Sequence, residues 1–200
     1  MNCGCIRARR NPLVKLLCGE ERASQVVEFA LSLPLLVFFV IGIFDFSGAI
    51  ALKNKLATAA REGARVAAAD PANDLTSALP VSVIDAEQVI DNYLISEKIN
   101  DCGLVPATLL SSGNLTWMET ATGSNCPGGA TPGLQLTIKR GCISQQAFGT
   151  GANTVTADLV NTCVTILYPY VWQFGGVAGL FGSFTGPTSI TTTAVAFNEN

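Results

Sequence analysis

From residue 26 to residue 52 almost every position is apolar, and this run, VVEFALSLPLLVFFVIGIFDFSGAIAL, sets the frame for the rest of the chain. A helix rising about 1.5 Å per residue needs roughly 20 apolar positions to cross the hydrocarbon core of a membrane. Residues 53–69, KNKLATAAREGARVAAA, are rich in alanine and charge and contain no proline. They can carry the same helix out into water, giving a rod of about 70 Å over residues 23–69. Asp70-Pro71 ends it, because a residue before proline is pushed out of the α region. A connector over 71–83 leads to a second helical pattern over 84–100. There Ala86, Val89, Ile90, Tyr93 and Leu94 recur at helical spacing, with Asp85 as the expected N-cap.

From Cys102 onward the period changes to short alternating runs between Gly, Pro, Asn and Ser clusters, the pattern of strands. Residues 109–117 read as a weak strand or hairpin around Ser111-Ser112-Gly113-Asn114. Leu134, Leu136 and Ile138 alternate cleanly. Residues 123–133 and 145–157 read as polar loops. Val160, Thr162, Val164, Ile166 and Tyr168 define the strongest strand, and residues 189–197 the last. The expected fold is α+β: a long N-terminal transmembrane helix continuing as a stalk, then a small extracytoplasmic domain with one further helix and an antiparallel sheet of about four strands. The corresponding division is a basic cytoplasmic leader over 1–23, helix and stalk over 24–69, and the domain over 70–200.

Two acids interrupt the apolar run. A carboxylate in hydrocarbon costs on the order of 3 kcal/mol on insertion scales unless it is neutralised, paired or interfacial. Glu28 is either an interfacial group at the mouth of the anchor or a group kept for a protein partner. Asp45 is expected near the outer interface, or paired with Lys53 or with another helix. Pro34, two turns into the run, is expected to kink the helix. Along residues 57–67, Ala57, Ala60, Gly63, Ala64 and Ala67 present small side chains that let another backbone approach closely. That face fits a neighbouring helix or the chain's own domain equally well. On the second helix, Asp85, Glu87 and Asp91 read as a solvated face rather than an acid–base site. The aromatic, glycine-rich stretch 168–186 is open to three readings: burial against the stalk, a contact surface for partners, or a toe in the membrane interface.

Composition narrows the function. Charged residues are 14% of the 200 and the net charge is −3, with no clustered basic face of the kind nucleic acid requires. The chain has no histidine, which excludes Ser-His-Asp and Cys-His catalysis and the usual imidazole metal sites. Neither a metal nor another cofactor is expected. The seven cysteines divide around the apolar run: Cys3, Cys5 and Cys18 before it, Cys102, Cys126, Cys142 and Cys163 after it. Four cysteines in a loop-rich region read as two disulfides in an oxidising compartment, and the absence of CxxC pairs disfavours a zinc site. The pairing with the shortest loops joins Cys102 to Cys126 and Cys142 to Cys163. Basic residues flank the apolar run on both sides, Arg7, Arg9, Arg10, Lys15 and Arg22 before it and Lys53, Lys55, Arg61 and Arg65 after it. Charge therefore leaves the orientation nearly tied. The downstream cysteines break the tie and place the C-terminal domain outside the cytoplasm.

The residues Val27-Glu28-Phe29, Pro34, Gly42, Asp45-Phe46 and Ala59-Ala60-Arg61-Glu62-Gly63-Ala64-Arg65 resemble the N-terminal signature of TadE-like proteins. These are the minor pilins or pseudopilins of tight-adherence (Flp-type) pilus assembly, and the signature covers about a quarter of the chain. The resemblance implies processing by a membrane prepilin peptidase between Ala23 and Ser24, which would make Glu28 the fifth residue of the mature chain. Glu28 would then meet the free amine of a neighbouring subunit, with Phe29 beside it at the contact. Ala23 stands where such proteins usually carry glycine, and Phe29 where they often carry tyrosine. The implied partners are the inner membrane, other pilin subunits and the assembly machinery, and the implied function is structural, with no catalytic residue. The rival reading is a permanently anchored extracytoplasmic module that binds a surface, a glycan or a secretion partner. An enzyme is disfavoured, since no nucleophile motif accompanies the scattered acids.

Overall fold

The computed structural model describes residues 21–70, 75–105, 108–123, 126–128, 133–149, 155–174 and 188–198, with side chains described from residue 25 onward. The leader over 1–20, with Cys3, Cys5 and Cys18, and residues 175–187 of the aromatic stretch lie outside the described residues. The chain divides into two compact units, one ending at Phe44 and the other comprising Asp45–Asn200. A single helix, α1 (Glu21–Ala69), contributes to both, and Pro34 lies inside it without ending it.

In the first unit none of the side chains from residue 25 to 44 is buried. This helix is long and apolar enough to cross a membrane. The bare part, about 20 residues, spans roughly 30 Å, the thickness of the hydrocarbon core.

In the second unit α1 is built into a core from Leu56 onward. Leu56, Ala59, Ala60, Ala64 and Ala67 are fully buried, as are Val83, Ala86, Ile90 and Leu94 of helix α2 (Val81–Ser96). The start of α2 differs from the expectation. Pro80, not Asp85, is the N-cap, with φ −66° and its carbonyl accepting from the amides of Val83 and Ile84. Asp85 falls inside the helix. Proline's fixed φ and missing N–H suit it to a helix start, and this outweighed the side-chain cap that Asp85 offered one turn later. The other end closes on Lys98, whose φ is 56°. Its amide donates to the Ile95 carbonyl and that of Ile99 to Leu94, the paired bonds that satisfy a helix C-terminus.

The helices cover one face of a five-stranded antiparallel sheet, one strand more than expected, in the order β1 (Leu110–Gly113), β2 (Thr116–Ala121), β3 (Leu134–Phe148), β4 (Val155–Pro169), β5 (Ser189–Phe197). Alternation decides which side chains point inward. Trp117, Ile138, Val164 and Ala194 form one cross-strand row on the buried face. On the other face Thr137, Thr165 and Thr193 form a row, with the hydroxyls of Thr165 and Thr193 3.0 Å apart. Within the expected polar loop over 145–157, residues 145–148 and 155–157 are instead strand. β3 and β4 pair from Gln135↔Leu167 out to Phe148↔Val155, with a bulge between Lys139 and Cys142. From Ile143↔Val160 outward the two strands are partnered only by each other among the described residues, and both faces are wet. Side-chain polarity there marks exposure rather than the absence of a strand.

Candidate functional site

Three groups of residues bear on function. The first is the bare helix. Ala23 and Ser24 lie within α1, and Glu28 and Phe29 follow on its exposed part, Phe29 at 63% exposure. No hydrogen bond or ion pair reaches Glu28 among the described residues. An acid in an apolar helix with no partner among the described residues offers a charge that another group must satisfy.

The second group is the small-residue face of α1. Ala60, Gly63, Ala64 and Ala67 are buried within their own unit, and Ala57 is half-buried. A β-carbon on Gly63 would come within 2.5 Å of Ile90 Cδ1 and 2.6 Å of Ile90 Cγ1. Glycine at this position is what admits the Ile90 side chain of α2. The charged residues of this segment, Arg61, Glu62 and Arg65, are exposed.

The third group is a set of buried acids that the sequence pattern assigned to a solvated face. Glu87 and Asp91, four residues apart on α2, are 6% and 8% exposed, and Glu119 of β2 is 5% exposed. Glu119 shares the inward face of β2 with Trp117 and Ala121. Its carboxyl is pushed up to about 8 by burial and then by the Glu87 charge. Glu87 is raised by burial, partly offset by its hydrogen bond with Glu119. Asp91 is pushed up to about 6 by burial and then by Asp101. Raised to about 8, the buried Glu119 carboxyl favours its protonated form at neutral pH beside Glu87. The solvated reading fails because α2 turns these two acids toward the sheet. The signal that could have located Glu119 was the alternation of TWMETA, which puts it on the same side as an obviously buried tryptophan.

The cysteines sit in the second unit. Cys102 is bonded to Cys126 and Cys142 to Cys163, the second bridge lying beside the bulge of β3. Around the first bridge, the Cys102 amide donates to Asn100 Oδ1 at 2.8 Å and the Tyr168 hydroxyl to the Asn100 carbonyl at 2.8 Å. Among the described residues no cluster of three or more acids or cysteines is arranged to hold a metal ion.

Asp45 is bonded neither to Lys53 nor to another helix. It is 8% exposed, and its two carboxylate oxygens accept from the backbone amides of Gln173 and Phe174, at 3.1 and 3.2 Å. Lys53 lies eight positions further along α1, more than two turns away, whereas the turn after β4 reaches the carboxylate directly.

No protein of curated function and no solved structure matches the chain significantly. The match that exists is local to the helix just described. Residues 23–65, from the first turns of α1 through Ala59-Ala60-Arg61-Glu62-Gly63-Ala64-Arg65, match the family model of the TadE-like protein, so the likeness to that family lies in the N-terminal helix.

Proposed function

We propose that this chain is a non-catalytic pilin-like subunit, anchored in the inner membrane of a bacterium, that takes part in assembling a tight-adherence pilus. The leader over 1–23 lies in the cytoplasm and the domain outside. A prepilin peptidase cuts between Ala23 and Ser24, and Glu28 pairs with the new amine of a neighbouring subunit. The observation that carries this reading is Glu28 itself, exposed in an apolar helix with no partner among the described residues. A carboxylate placed there is costly by about 3 kcal/mol until another molecule answers it, and a subunit amine answers both charge and hydrogen bonding. The TadE-like match over residues 23–65 supports the same assignment.

Mass analysis of purified filaments tests the processing step. The expected result is a subunit beginning at Ser24, and filament subunits that retain residues 1–23 would overturn it. Glu28→Ala is expected to abolish incorporation into filaments while leaving membrane insertion intact. Unchanged incorporation would favour a permanently anchored binding module.

A further inference from the structure

Asp45 occupies the first position of the second unit, near the C-terminal end of the bare apolar stretch, and it does something unusual for a helical residue. Both of its carboxylate oxygens are taken by successive backbone amides of a distant turn, Gln173 and Phe174. Its backbone carbonyl accepts in addition from the Tyr170 hydroxyl at 3.3 Å. Gly48, one turn along, lies beside the same hydroxyl: a β-carbon there would meet the Tyr170 oxygen at 3.7 Å, an ordinary contact. The Tyr170 amide donates to the Thr188 carbonyl at 2.8 Å, and the Tyr170 and Trp172 rings meet edge to face at 5.2 Å. The turn is thus fastened to α1 at one depth and stiffened within itself.

What the turn presents outward is apolar and aromatic. Val171 is 52% and Phe174 40% exposed, Trp172 is half-buried, and no charged residue occurs between Asp158 and Glu199. Tyrosine and tryptophan on an uncharged surface favour the zone between hydrocarbon and headgroups, where the ring is sheltered and the polar edge hydrated. The Asp45 charge is hidden and bonded, so the turn offers no anion to lipid phosphates. Exposed large apolar side chains of α1 begin at Val26 and continue past Asp45 only at Phe46 and Ile50, so Asp45 lies within about 8 Å of the end of the apolar span, at the depth of the same zone.

We propose that the turn 170–174 is an interfacial lipid-contact site, clamped to the helix by Asp45 at the level of the phospholipid glycerol and headgroups. This rests on the membrane anchoring proposed above.

The test uses the full chain in phosphatidylcholine–phosphatidylglycerol vesicles and reads the fluorescence of Trp172 as the difference between the wild type and Trp172→Phe, leaving buried Trp117 untouched. The expected result is strong quenching by lipids brominated near the headgroup end of the acyl chain, weak quenching by lipids brominated near the chain terminus, and protection from aqueous iodide. Asp45→Ala is expected to lose the shallow lipid quenching and gain iodide quenching while the protein still floats with the vesicles. Quenching of wild-type Trp172 by iodide alone would overturn the proposal. Shielding from both iodide and brominated lipid would overturn it too, by assigning the surface to a protein neighbour. In either case flotation would leave the anchoring intact, whereas a protein that stays in solution without vesicles would remove both.

Discussion

At the scale of single residues, the acids show how position outweighs identity. Asp45 and Glu28 are both acids in one apolar helix, yet the first is enclosed by backbone amides and the second has no partner among the described residues. That both are anomalous was legible from the hydropathy pattern alone. That they are answered differently was not, because the amides bonding Asp45 lie 128 and 129 residues away. The buried acids of α2 and β2 carry a consequence for pH. Glu119 has a folded-state value of about 8 against an ordinary 4.5, so the folded domain holds a proton that the unfolded chain releases. Asp91 behaves likewise between 3.8 and about 6. A group raised in this way stabilises fully below its unfolded value, and its contribution is lost as pH rises through the folded one. The domain is therefore expected to lose stability steadily from about pH 4 to pH 8, and thermal melts across that range check the slope. Glu119→Gln keeps the shape and removes the charge. It is expected to flatten the slope and to raise stability at pH 8 by on the order of 1 kcal/mol, or about 2–4 °C in Tm for a domain of this size. A melt of the variant that tracks wild type at every pH would show that Glu119 is not the responsible group.

At the scale of elements, the spacing of small residues on α1 was readable and its occupant was not. A stripe of alanine and glycine admits any close backbone, and a single sequence does not say whose. In the second unit Ile90 fills the space above Gly63, so part of the stripe serves intramolecular packing. Gly63→Leu is accordingly expected to destabilise the domain by about 1–3 kcal/mol through overpacking. Combining it with Ile90→Ala should cost less than the sum of the two single changes, because the cavity left by one receives the other. Urea denaturation of the four proteins in detergent measures this coupling. Additive losses would remove the assigned contact. The β3–β4 hairpin gives the opposite lesson. Leu134, Leu136 and Ile138 announced their strand by burying every second residue, but past the bulge both faces are exposed and the alternation disappears. Cross-strand backbone bonding persists where side-chain patterning has stopped, and hydropathy cannot report it.

At the scale of the whole molecule, the membrane orientation proposed for the chain and the chemistry of its cysteines must agree. The two bridges join residues 24 and 21 apart in sequence, and loops of this size reduce the entropy of the unfolded chain enough to contribute roughly 3 kcal/mol each. The core of the second unit is small, so this contribution is a large part of its margin. The Cys102→Ser/Cys126→Ser double variant is expected to lose about 2–4 kcal/mol in urea unfolding. Such bridges form and persist only in an oxidising compartment, whereas Cys3, Cys5 and Cys18, before the apolar run, would face the reducing cytoplasm in the proposed orientation. Membrane-permeable alkylation of intact cells should therefore modify only cysteines upstream of the helix in the unprocessed chain, and the four downstream ones should react only after denaturation and reduction. Labelling of all seven without reductant would place the domain on the cytoplasmic side. The pilus assignment would fall with it, since a head domain left in the cytoplasm cannot join a filament built outward from the membrane.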